Sequence, residues 1–184
     1  MFPHTRLSAL GARSSRHRLL DWSTIARMVQ GVRVMSCASA HHFFASGNTL
    51  VFIWQGNVSL ASIHATRQCQ REVSSAYPGG VRILAVIGSG TVLPSSEARL
   101  EAATIDKEFE HRVRAHATVL AGGGRWLAAA RALLGAFFSL TRTAYPRRIF
   151  ATVEDSLAWL AEFEGEWDRA ALLDRINHDP RCQT

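Results

Sequence analysis

The chain has 184 residues, 47% hydrophobic and 20% charged, enough apolar material for one cored domain plus extensions and too little length for two. Its formal charge of +6 sits at one end: residues 1–35 carry six arginines against Asp21, and everything after them is left close to neutral. A nucleic-acid-binding surface on the body of the chain is thereby disfavoured, and any such binding rests on the leader.

The leader, residues 1–40, is predicted to be disordered or weakly helical, with an amphipathic stretch carrying Leu19, Leu20, Trp22, Ile25, Met28, Val29 and Val32. Three readings fit it: an organelle transit peptide, a basic helix lying on a membrane surface, or translated sequence upstream of a true start at Met35. Its first 18 residues lack the unbroken apolar core of a secretory signal. The best candidate for a membrane span, Trp126 to Leu140, is about 15 residues long and carries Arg131, short of the roughly 20 apolar residues a bilayer requires. Cys37, Cys69 and Cys182 are odd in number and far apart, which argues against a disulfide framework or zinc site. Free thiols suit a cytoplasmic protein, with Cys69 expected inside as a small hydrophobe.

A domain spanning 41–164 opens with two strand-like runs, 41–46 and 49–55, around Gly47-Asn48, a pair that tolerates the positive φ of tight hairpin turns. A helix follows from about Ser59, with Leu60, Ile63, Val73 and Tyr77 on one face, and stops at Pro78-Gly79-Gly80. The run 81–88 is almost continuously apolar and β-branched, which predicts a central strand buried on both faces. Ser95 or Ser96 caps a second helix, with Glu97 at its positive end and Ala102, Ile105, Phe109 and Val113 on its core face. A strand at about 116–121 leads through Gly122-Gly123-Gly124 into a third helix with Trp126, Ala130, Leu133 and Phe137 on one side. Leu127, Leu134 and Phe138 widen that stripe, so this helix is expected to be the most buried. A short strand at 148–152 precedes Thr152 and Asp155, a capping-box-like start for Leu157, Leu160 and Phe163. The tail, 165–184, holds a polar helix at 166–177 that either docks through Trp167, Leu172 or Ile176 or stays loosely attached.

The expected fold is thus α/β: a mixed, mostly parallel sheet of about five strands opening with a β-hairpin, flanked by about four helices. This order resembles the STAS domain of bacterial anti-sigma-factor antagonists, in its divergent SpoIIAA-like form. The residues that carry the resemblance are Leu50-Val51-Phe52-Ile53-Trp54-Gln55-Gly56, the strand 81–88, Arg112, and the run from Ile149 through Thr152-Val153-Glu154-Asp155 to Ala158-Trp159-Leu160. It implies a serine phosphorylated by a partner kinase in a turn after the central strand. Here that region reads Gly88-Ser89-Gly90-Thr91-Val92-Leu93-Pro94-Ser95-Ser96-Glu97, longer and with no aspartate before the serine. Ser95 and Ser96 are the candidate regulatory phosphosites.

No pattern points to catalysis. Gly122-Gly123-Gly124 lacks the lysine and spacing of a phosphate loop. His41 and His42 point to opposite faces of a strand, and His64, His111 and His116 are scattered. Cys69 sits mid-helix without an evident base. The acids Asp106, Glu108 and Glu110, and Glu162, Glu164, Glu166 and Asp168, read as solvated faces. Neither a cofactor nor a metal site is expected. The leading functional expectation is a non-enzymatic regulatory or interaction module binding another protein near the 89–97 loop. The alternative is a small apolar or lipid-like ligand held between the sheet and the third helix by Trp126, Phe137 and Phe138.

Overall fold

Side chains that are apolar on both faces of the middle strands set the architecture. The computed structural model describes residues 41–179 in full and 32–38 as backbone; the readings of the leader before residue 32 and of Cys182 lie outside the described residues. Six strands lie side by side in chain order: β1 (Val32–Ala38), β2 (His41–Ser46), β3 (Thr49–Trp54), β4 (Val81–Ile87), β5 (Val113–Leu120) and β6 (Arg147–Phe150). β1 to β3 are antiparallel and β3 to β6 parallel. The helices are α1 (Leu60–Ala76), α2 (Ser96–Glu108), α3 (Gly124–Thr141), α4 (Val153–Leu160) and α5 (Arg169–Asn177).

The sheet is mixed and mostly parallel, as the sequence implied, with one strand more than expected. β1 falls in the stretch read as leader and covers the outer edge of β2, with its register shifting at Met35. Its Val-Arg-Val alternation was absorbed into the end of an apparent amphipathic helix.

Alternation along β2 to β5 divides the core in two. Phe43, Phe52, Trp54, Ile83 and Ala85 meet Ile63, Cys69 and Val73 of α1 and Ala98 and Ile105 of α2. Phe44, Val51, Ile53, Leu84, Val86, Ala117 and Val119 meet Leu157 and Leu160 of α4 and Leu172 and Ile176 of α5. Each fully buried large side chain stabilises the fold by roughly 1.5–3 kcal/mol, so a strand buried on both faces is the strongest element the chain can build. β4 is that strand. The final helix, left between docked and loose, is docked: Leu172 and Ile176 are fully buried.

The hairpin turn reaches far beyond its neighbours. Gly47 takes φ +52° and a Cβ there would collide with the Glu166 carbonyl oxygen, whereas Asn48 needs no positive φ. Asn48 instead works through its polar groups: its N–H donates to Glu166 O (3.1 Å) and its Nδ2 to Gly80 O (2.9 Å), while its Oδ1 accepts from Arg82 Nη2 (2.6 Å). Arg82 is 1% exposed inside the apolar β4. It also donates from Nη1 to Phe163 O (3.0 Å) and Leu160 O (3.5 Å), and its guanidinium lies 4.4 Å from the Trp167 ring centre.

Three boundaries differ from expectation. Phe109 is the C-cap of α2 and Val113 already begins β5, because a tight turn closed by Arg112 N–H to Phe109 O separates two elements that bury the same side. Arg112 is therefore in that turn, outside the helix. β6 begins at Arg147, and Thr152 caps α4 by accepting from Asp155 N–H (3.1 Å), with Phe163 beyond the helix end. The largest departure is α3, which buries only Ala130 and Thr141 and leaves Leu140 84% exposed.

Replacing Arg82 by methionine, similar in volume, strands Asn48 Oδ1 and the Phe163 carbonyl in the interior. A loss on the order of 3 kcal/mol in urea denaturation is expected, with Arg82→Lys recovering less than half because it lacks the planar fork. A change below about 1 kcal/mol would show that the clamp is dispensable.

Candidate functional site

The 89–97 loop leaves the carboxyl end of β4 and is pinned to the end of β3. Gly56 N–H donates to Gly90 O (3.1 Å), Val92 N–H to Gly56 O (2.7 Å), and Thr91 Oγ1 to Trp54 O (2.8 Å). Ser95 is the N-cap of α2, its Oγ accepting from Ala98 N–H (3.2 Å). Ser96 Oγ accepts from Arg99 Nη2 (3.3 Å), and Arg99 Nη1 donates to Pro94 O (2.8 Å). Both serines are exposed.

α3 is hydrogen-bonded at its two ends, and between them it buries Ala130 but leaves its large side chains incompletely covered. At the start, Gly122 takes φ +134° and packs so close to Ser89 that a Cβ would come 2.8 Å from the serine's own. The glycine turn is thus a permissive strand-to-helix connection, and it brings Trp126 Nε1 within 3.1 Å of Thr91 O, to which it donates. At the end, Arg147 Nη1 donates to Thr141 Oγ1 (2.8 Å). Leu133, Leu134, Phe137 and Phe138 are only half buried. They roof cavities instead of completing a core.

Two adjoining cavities lie beneath them. One, of about 150 Å³, is walled by Trp54, Val58, Ile63, Leu93, Pro94 and Leu134 among others. The second, of about 140 Å³, shares Trp54, Ile63, Ile87, Ala102, Leu134 and Phe137 and adds polar groups: Thr66, Gln70, Asp106, His116 and Thr118. Asp106, expected on a solvated face, is 9% exposed and pairs with Arg147 Nη2 at 2.7 Å. The Tyr145 hydroxyl donates to Asp106 Oδ1 (3.2 Å) and accepts from Arg147 Nη2 (2.6 Å). Arg147 stacks on Tyr145 and Phe138, at 4.8 and 5.0 Å from their ring centres.

Burial raises the Asp106 carboxyl above its ordinary value, with the Arg147 charge and hydrogen bonds opposing that rise. Burial and the nearby Asp106 charge push the Tyr145 hydroxyl up. Burial, reinforced by the Arg147 charge, lowers His116 to about 3, so its imidazole is neutral near pH 7. Neither His116 nitrogen has a hydrogen-bond partner, and nor does Gln70 Oε1.

Of the aromatic residues read as ligand contacts, Phe137 and Phe138 reach the cavities, while Trp126 serves as the anchor to Thr91. Trp54, Ile63, Leu134, Gln70 and His116 were missed. A polar residue interrupting the apolar β5 was the available signal for His116. His41 and His42 do face opposite ways: His41 packs on Phe43 and Trp54, and His42 Nδ1 lies 2.5 Å from Asp179 Oδ2. Cys69 is buried, and the acids at 162, 164, 166 and 168 are exposed. Among the described residues no three His, Cys, Asp or Glu side chains gather to hold a metal, and no helix is long and apolar enough to cross a membrane.

The molecule is an α/β domain, antiparallel at the start and continuing in parallel βα units. In structure it is similar to an uncharacterized protein of the DUF3478 family with a SpoIIAA-like fold from Shewanella loihica PV-4, at 18% identity and a TM-score of 0.43, covering 71% of this chain and 93% of that one. No family model matches the chain, and no curated protein matches it.

Stability should report the His116 imidazole, whose two nitrogens are covered. His116 stays neutral in the fold but takes a proton in the unfolded chain below about pH 6.5, so the unfolded state binds more protons and stability falls as the medium is acidified. The expected loss from this group between pH 7 and pH 5 is about 2 kcal/mol, read from urea midpoints as the difference between the native protein and His116→Leu. That difference isolates it from Asp106, whose raised value acts with the opposite sign. Parallel pH profiles would refute a neutral His116.

Proposed function

We propose that this domain acts by binding rather than by catalysis, and that it takes a small apolar ligand between the sheet and α3. The observation that supports this reading is the roof itself: an 18-residue helix, rich in Leu and Phe, hydrogen-bonded at both ends, whose half-buried side chains line two adjoining cavities, one of them almost wholly apolar. A helix whose apolar stripe serves only packing closes down on the core, because each unfilled volume forfeits transfer and contact energy. Protein purified without detergent should release a small molecule into organic solvent, and Ala102→Leu, which fills the shared wall, should purify without it. No released molecule, together with no response of tryptophan fluorescence to added toluene, would sink the proposal.

The regulatory reading has an observation of its own. The large apolar side chains exposed among the described residues are Val92, Leu93, Leu100 and Leu140, on the loop, on α2 and at the end of α3. In this reading they form a surface for another protein, and phosphate belongs on Ser96, where Arg99 already donates, while Ser95 is committed to the cap. Ser95→Ala should cost about 1 kcal/mol in denaturation and Ser96→Ala almost nothing. Fragment mapping of protein taken from its native host should then find the modification on Ser96; both serines unmodified under every growth condition would exclude the switch.

A further inference from the structure

The second cavity has one wall that an alkane cannot satisfy. Gln70 is 4% exposed and its Oε1 accepts no hydrogen bond, while both His116 nitrogens are covered and unpartnered. Both residues line the cavity. Buried polar atoms in this state cost about 1–3 kcal/mol each, and nearly all such atoms in proteins find partners. The terminal torsions of His and Gln are soft, and both side chains line the cavity, so each has room to re-aim its orphan atom toward an occupant.

Building on the ligand reading above, we infer that the occupant is a small uncharged molecule with an apolar body and one hydroxyl. The body lies among Trp54, Ile63, Leu134 and Phe137, and the hydroxyl meets Gln70 and His116. A neutral imidazole offers one acceptor and one donor, and the Gln70 oxygen accepts; a hydroxyl gives one proton and accepts in return, so it serves this pair without bringing charge. A carboxylate is opposed on two counts. It would face Asp106 in the same wall, and the nearest cation, Arg147, is already paired with that carboxylate. An ammonium fares no better, because Arg147 occupies Asp106. The cavity sizes suit a single ring: an apolar site of about 150 Å³ takes benzene.

The test titrates the full chain with toluene, p-cresol and p-toluate, three ligands sharing one ring, followed by tryptophan fluorescence. p-Cresol should bind about fivefold tighter than toluene although it prefers water more, and p-toluate should bind weakest. Gln70→Leu and His116→Leu should each erase the advantage of p-cresol over toluene. Equal binding of toluene and p-cresol by the native protein overturns the hydroxyl assignment while the cavity reading stands. Tightest binding of p-toluate overturns the uncharged class. Failure of all three to bind overturns both, and the native protein alone decides among these outcomes if a variant fails to fold.

Discussion

The fold depends on an arginine held where a strand residue should be apolar. Arg82 enters the interior on β4 and gathers three separate pieces of chain: the hairpin turn at Asn48, the exit from α4 at Leu160 and Phe163, and the Trp167 ring ahead of α5. Among the described residues no carboxylate pairs with it; its partners are carbonyl and amide oxygens and an aromatic face. Desolvation lowers the guanidinium to about 10, still charged near neutrality. Such a group is costly to bury and costlier to abandon, so it fixes where α4 ends and how α5 approaches the sheet. The second core, with Leu172 and Ile176 fully inside, follows from that approach.

The opposite face is built by other rules. α1 and α2 close on the sheet through Ile63, Val73 and Ile105, and their exposed sides are joined by Arg67 and Arg71 to Glu101 and Glu108. α3 has no comparable closure. Alanines and arginines occupy its outer side, its large side chains hang at half exposure, and its position is set at the two ends. One half of the domain is therefore packed to specify a structure, and the other holds volume in reserve. Local opening belongs to the second half, since regions with few buried apolar contacts open at low free energy.

Much of the framework was legible because local chemistry writes it. Gly47-Asn48 between alternating runs, the β-branched 81–88, Ser95 and Thr152 as caps, and the glycines before α3 each act within a few residues of their own position. What could not be read depends on partners far along the chain. Asp106 looks like any acid on a helix until β6 brings Arg147 beneath it, and Arg82 looks like a blemish in an apolar strand until Asn48 and Phe163 surround it. The stripe of α3 was seen correctly and assigned the wrong burial, because Leu and Phe over a cavity and Leu and Phe in a core have the same periodicity. Of the site, the sequence showed the roof in Phe137 and Phe138 but not the floor in Gln70 and His116.

The cavity and the surface loop are not independent features. Thr91 lies between them: its hydroxyl donates to Trp54 O at the cavity's edge, and its carbonyl accepts from Trp126 at the start of α3. Leu93 and Pro94, of the same loop, wall the first cavity from the outside. The ligand proposed above, if it favoured one height of α3 over another, would act on Trp126, through it on Thr91, and so on the segment that presents Val92, Leu93 and Ser95. The size of that effect is bounded by the ligand's differential affinity for the two positions, and the coupling runs equally in reverse. A partner gripping the loop would tighten or loosen the roof over the cavity. The two functions proposed above therefore share one helix and one loop, and the Trp126–Thr91 hydrogen bond is the part of the fold that joins them.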